Sequence, residues 1–150
     1  MRPYRERSLI MLEPKHQDKM CRGAIVFLLM QGFGGLIWWL GILSIPGWRV
    51  PFLAPAAPDA TLLALAPGDL LFYLAGSFLS AWGLRQQRPW AWTVLCLHTG
   101  AACYGALYAL SLFLLSGGGS LGAVLMAPSL LVLPALVWGL RPPYLRRKEN

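Results

Sequence analysis

The sequence predicts an all-α integral membrane protein with four transmembrane helices. The chain has 150 residues, of which 57% are hydrophobic and only 13% are charged, so little of it is left for a soluble domain. Its apolar residues form four long segments, each near the ~20 residues that a helix needs to cross ~30 Å of hydrocarbon. The stretches that would share one side of the membrane hold 12 of the 13 Lys and Arg residues.

The four apolar segments lie at about 23–45, 69–86, 89–116 and 121–140. Pro46 and Gly47 end the first helix. Asp69 begins the second, while the apolar patch 61–66 either lies in the outer interface or extends that helix outward. The connections at 85–89 and 117–120 are short, which makes helices two, three and four antiparallel neighbours. We therefore predict one up-down bundle at 23–141, flanked by basic tails at 1–22 and 142–150.

The distribution of basic residues predicts the orientation. Both tails and the second loop are basic, whereas the first loop (46–68) has only Arg49 beside Asp59 and the third loop has no charge. The positive-inside rule therefore places both termini in the cytoplasm, in a plasma membrane or a bacterial inner membrane. The net charge of +7 is explained by this bias and by contacts with anionic lipids. No nucleic-acid partner is expected, because no basic stripe alternates with exposed aromatic residues in a soluble segment.

Polar residues inside the spans indicate which helix faces point inward, because such groups need partners in hydrocarbon. Gln31, Ser77 and His98 each lie eight or nine residues from a cytoplasmic helix end, so they share a depth of roughly 12–14 Å at 1.5 Å per residue. We predict one polar layer from these three, with Ser129 at its edge, and an outer pair of Asp69 with Tyr108. The candidate binding residues are Gln31, Ser77, His98, Asp69, Tyr73 and Tyr108.

Small residues recur at helical spacing on the same faces. Such stripes let two helix backbones approach closely, which is the usual way in which membrane helices associate. The candidate helix-packing residues are Gly34, Gly35, Gly76, Ala102, Gly105 and Ala106.

His98 and Asp69 each have two interpretations. His98 can move a proton or ligate a metal or haem, or it can hold helices together through Ser77 or Gln31. The structural interpretation is favoured, because metal sites and proton pathways usually need several such groups and no other His lies in a span; no metal or cofactor is predicted. Asp69 either caps the second helix or binds an ion or proton. Capping is favoured, because Pro67 and Gly68 precede it.

The sequence contains no motif that specifies an enzyme. A Gly-rich phosphate loop, a nucleophile elbow, a zinc-binding helix and a paired-carboxylate site are all absent from the sequence. A carrier that couples protons to a cationic substrate needs a carboxylate within the membrane, and helix one has Gln31 in that place.

We therefore predict a non-enzymatic accessory or scaffold subunit. Its partners would be the lipid bilayer and, through the small-residue faces, a second copy of the chain or a larger membrane complex. The alternative is a small-molecule carrier or binder that uses the layer of Gln31, Ser77 and His98. The spans and charges do not identify the substrate, the partner or the oligomeric state.

Overall fold

The computed structural model describes residues 14–141, and no β-strand occurs within that range. Four helices are long and apolar enough to cross a membrane. They are α1 (Pro14–Ser44), α2 (Asp59–Arg85), α3 (Ala91–Ser116) and α4 (Ser120–Gly139). The structure thus confirms the all-α class and the four helices of membrane-spanning length.

Helix α1 begins nine residues before the expected apolar start at Gly23 and ends at Ser44. Part of the basic stretch 1–22 is therefore helical, while residues 1–13 and the tail 142–150 lie outside the described residues. A 3₁₀ helix, Pro46–Phe52, follows α1 directly. Pro46 occupies its first turn, where the missing N–H of proline costs no hydrogen bond.

Helix α2 begins at Asp59, ten residues before the expected start at Asp69. It consists of Asp59–Leu63, a turn at 64–65, Ala66–Gly68, a π-helical stretch Asp69–Ala75, and Gly76–Arg85. Pro67 is accommodated at the start of a new helical turn, and Asp69 has helical backbone angles (φ −68°, ψ −42°). Asp69 therefore lies within the helical segment and does not cap its amino terminus.

Glycines end α3 and begin the connection to α4. Gly117 and Gly119 have φ values of 69° and 71°, which are strained for residues with a Cβ. Helix α4 then continues through Pro128 and Pro134 to Gly139. The short glycine loop predicted from the sequence therefore contains two residues whose backbone conformation only glycine adopts easily.

The outer surface of the bundle is apolar. Leu115 is 89% exposed, and Met30, Leu114 and Leu131 are also largely exposed. The interior contains a small core in which Ala24, Leu28, Leu84, Leu95 and Leu133 are fully or almost fully buried. An apolar exterior of this extent suits a lipid environment.

Side-chain contacts identify which helix ends lie together. The Trp92 Nε1 near the start of α3 donates to the carbonyl oxygen of Val137 near the end of α4, over 3.2 Å. At the same end, a Cβ on Gly139 would touch the side chain of Met20. At the other end, Phe52 lies beside Gly122, close to the start of α4.

Candidate functional site

A hydrogen-bonded polar cluster joins α1, α3 and α4. The Gln31 Nε2 donates to Ser129 Oγ over 3.0 Å, and the Gln31 Oε1 lies 3.0 Å from His98 Nε2. His98 is 1% exposed and Ser129 is 3% exposed. Two of the residues expected at one depth, Gln31 and His98, are therefore in direct contact, and Ser129 bonds to the same amide group.

Tyr73 adds α2 to this cluster. Its hydroxyl interacts with the side chains of Gln31 and Ser129. Its ring centroid lies 5.6 Å from that of His98. Each of the four long apolar helices thus contributes one polar side chain, and these four residues are called the polar cluster below.

Ser77 lies nearby but has a different partner. Its hydroxyl donates to the backbone carbonyl of Leu28 over 2.6 Å, which ties α2 to α1. The neighbouring Gly76 makes room for the imidazole, because a Cβ there would lie 3.2 Å from the Cβ of His98. Ser77 therefore packs beside the polar cluster and bonds to none of its side chains in the structure.

The two ring nitrogens of His98 both face groups that can accept a hydrogen bond. Nδ1 lies 3.3 Å from the carbonyl oxygen of Phe72, and Nε2 faces Gln31 Oε1. A neutral imidazole has only one N–H, so both contacts are satisfied only in the imidazolium form or if the Gln31 amide is turned over. In the turned amide, the NH₂ group donates to Nε2 and the oxygen accepts from Ser129.

Phe72 belongs to the π-helical stretch of α2. Short π-helical insertions in α-helices are rare and occur frequently at functional sites. Here the stretch Asp69–Ala75 includes the carbonyl that faces His98 and the side chain of Tyr73. The irregular part of α2 therefore lies beside the polar cluster.

A large cavity opens next to the polar cluster. Its volume is about 1030 Å³, and Gln31, Tyr73 and Ser129 form part of its wall. The rest of the wall is mainly apolar and strongly aromatic; its aromatic members are Phe27, Trp38, Trp39, Phe52, Phe72, Tyr73, Tyr104 and Tyr108. A space of this size and lining is typical of small-molecule sites, which are commonly 300–1,000 Å³.

Asp69 also lines this cavity. Its carboxyl group interacts with the Trp39 side chain, although Trp39 Nε1 makes no hydrogen bond of regular geometry. Tyr108, the expected outer partner of Asp69, lines the same cavity. No hydrogen bond links Asp69 to Tyr108 within the part of the chain that the structure describes.

The small residues divide into two groups. Gly35 and Gly76 lie against neighbouring side chains, and Ala102 and Ala106 are buried in the bundle. By contrast, a Cβ on Gly34 or Gly105 would meet no atom within 4 Å, and both glycines line the cavity. The first group allows close packing within the chain, whereas the second leaves open space.

No family model matches this chain, and no curated protein or solved structure is significantly similar to it. Its candidate function is therefore inferred from its own geometry. Among the described residues, no group of three His, Cys, Asp or Glu side chains is placed to hold a metal ion.

Two cavity residues were not singled out as binding residues by their sequence pattern. The indole Nε1 atoms of Trp38 and Trp39 are buried and make no hydrogen bond of regular geometry with the described residues. Trp39 is only 2% exposed, so its N–H does not reach solvent. The sequence signal for these residues was the presence of two adjacent tryptophans in an apolar helix. Helical periodicity places adjacent residues on different faces, so it did not predict that both line one cavity.

Proposed function

We propose that this protein binds a lipid-soluble small molecule in the cavity, as a carrier or binder within the membrane. The observation that carries the proposal is the cavity itself, with its aromatic wall and its polar edge of Gln31, Tyr73 and Ser129. Apolar walls favour a hydrophobic ligand, and a few polar groups at fixed positions orient it.

The proposal includes an antiparallel up-down bundle with both termini in the cytoplasm. The Trp92 to Val137 hydrogen bond supports opposite directions for α3 and α4, because it joins the start of one to the end of the other. The basic residues of the tails and of the 85–89 turn support the orientation. The cavity residues then lie mainly in the outer half of a plasma or bacterial inner membrane.

A matched pair of glycine variants tests the binding function. Gly105→Leu puts four carbons into the cavity, whereas Gly23→Leu makes the same change on α1 away from the cavity lining. Neither position has an atom within 4 Å of the new Cβ, so both variants should fold. The probe is N-phenyl-1-naphthylamine, an uncharged arylamine whose fluorescence rises in apolar surroundings.

We expect saturable binding of this probe to the protein in nanodiscs, beyond its uptake by empty nanodiscs. Gly105→Leu should weaken that binding about tenfold, which corresponds to ~1.4 kcal/mol. Gly23→Leu should leave it unchanged. Absence of saturable binding to the unmodified chain, or equal binding by both variants, would count against the cavity as a ligand site.

A second candidate function is an accessory or scaffold subunit, and the open glycine positions favour it. Gly34 and Gly105 leave space on the cavity wall that a helix of a second chain can fill, either a copy of this one or part of a larger complex. Affinity purification in mild detergent with measurement of the total mass separates the two candidates. This function is supported by a protein that copurifies in stoichiometric amount with the unmodified chain and with Gly23→Leu but not with Gly105→Leu. A monomer that carries a small molecule supports the first function.

A further inference from the structure

The cavity wall contains a carboxyl group that has no basic partner in the same wall. Asp69 is the one charged side chain among the described residues that line it, and no Lys, Arg or His is part of that lining. Asp69 is partly buried and forms no ion pair with a described residue, and the side chain of Trp39 that lies near it is uncharged. A carboxylate in apolar surroundings is costly unless it is paired.

The nearest acidic residue on α2 has a partner of its own. Asp59 Oδ2 lies 2.6 Å from Arg49 Nη1, and Arg49 Nε also donates to the backbone carbonyl of Ile42 over 2.9 Å. Arg49 is therefore engaged outside the cavity lining and does not neutralise Asp69.

The surrounding side chains favour a positive partner for Asp69. Aromatic rings attract cations through the negative potential of their faces, and cages of aromatic residues recognise quaternary ammonium groups. Trp38, Trp39, Tyr73 and Tyr108 belong to the same wall as Asp69. Large aromatic surface can hold an apolar body while the carboxylate balances a single positive charge.

From this combination we infer that the ligand of the cavity is a lipophilic organic cation, with its charged nitrogen at Asp69 and its apolar body along the aromatic wall. This assignment rests on the proposed binding function and specifies its ligand class. The sequence argued against a cationic substrate because the first helix has Gln31 where a carboxylate would be needed. This inference revises that argument, because Asp69 on α2 supplies the carboxylate.

Two probes of equal shape test the assignment. They are (4-biphenylmethyl)trimethylammonium and 4-neopentylbiphenyl, in which a carbon replaces the charged nitrogen. Each probe is tested for its ability to displace N-phenyl-1-naphthylamine from the protein in nanodiscs. The variants are Asp69→Asn, which removes the charge at nearly constant size, and Asp59→Asn, which makes the same change on α2 outside the cavity lining.

We expect Asp69→Asn to weaken competition by the cation about tenfold or more, because its counter-ion is lost. The neutral probe should compete equally in all variants, Asp59→Asn should behave as the unmodified chain, and Asp69→Glu should restore cation affinity. These results together would support Asp69 as the counter-ion.

Other outcomes separate the two proposals. If both probes compete and Asp69→Asn affects neither, the cavity binds small molecules but the cationic class is wrong. If Asp69→Asn weakens both probes equally, its charge is not responsible and the assignment also fails. If the naphthylamine does not bind saturably to the unmodified chain, the proposed binding function itself fails and this inference fails with it.

Discussion

Gln31 connects its own helix, α1, to the other three long helices. Its amide bonds Ser129 on α4 and His98 on α3, and it interacts with Tyr73 on α2. An amide is suited to this position because it offers a donor and an acceptor on opposite edges and can exchange them by rotation. Gln31 can therefore match either protonation state of His98.

We predict that Gln31→Met lowers the free energy of unfolding by about 1–3 kcal/mol, because His98 Nε2 and Ser129 Oγ lose a buried partner. Methionine retains a similar length, so the change is mainly one of polarity. The measurement is an SDS unfolding titration of the purified protein. Gln87→Met, at an exposed turn residue, is the control. A loss no larger than that of the control would show that the cluster does not stabilise the bundle.

Helix α2 shows how one element can contain both a packing segment and a segment that lines a cavity. Its Gly76–Arg85 part is largely buried, with Ser77, Ser80 and Leu84 in the interior. Its π-helical part instead provides Asp69, Phe72 and Tyr73 for the cavity wall. The extra residue in a π-turn changes the direction of the following side chains, so the two parts present different faces.

Two glycines with the same predicted packing role should respond differently to the same substitution. We predict that Gly76→Leu severely destabilises the bundle, because even its Cβ would lie 3.2 Å from the Cβ of His98. Gly105→Leu should not lower stability, because it extends into open space and leucine is the better helix former. Thermal unfolding in detergent compares them. Equal destabilisation would mean that the space beside Gly105 is closed in solution.

At the scale of the whole molecule, the bundle has two hydrophobic cores, and the cavity opens beside the second of them. The core around Leu28, Leu84, Leu95 and Leu133 fills the end at which Met20 meets Gly139. Towards the 3₁₀ helix Pro46–Phe52, a second core of Trp39, Ile42, Leu62 and Leu74 packs beside the cavity. Under the proposed orientation, the core around Leu28 lies towards the cytoplasm and the cavity lies towards the outer side.

Two loop cysteines test that orientation. Ala56 and Gln87 are exposed loop residues on either side of α2, and both have positive φ values. In intact cells a membrane-impermeant maleimide should label Ala56→Cys, whereas Gln87→Cys should react only after permeabilisation. The chain with only its native cysteines gives the background. The reverse labelling pattern would place both termini outside.

The sequence by itself determined the helical class and the four apolar segments of membrane-spanning length. Length and hydropathy suffice for this, because every backbone polar group in hydrocarbon must be satisfied within its own helix. The depth count also placed Gln31 and His98 at one level, where the structure brings them into contact. It did not identify the partner of Ser77, because a hydroxyl can bond to a neighbouring backbone as readily as to a side chain.

Tertiary structure alone decided where the small residues leave space and what Asp69 faces. A stripe of glycines has the same sequence pattern whether it lies against a second helix or beside a cavity, as Gly76 and Gly105 illustrate. In the sequence, Asp69 after Pro67 and Gly68 resembles a helix cap. In the structure, the helix continues through Asp69. Both outcomes depend on the distances between helices, and those distances are set by packing among residues far apart in the sequence.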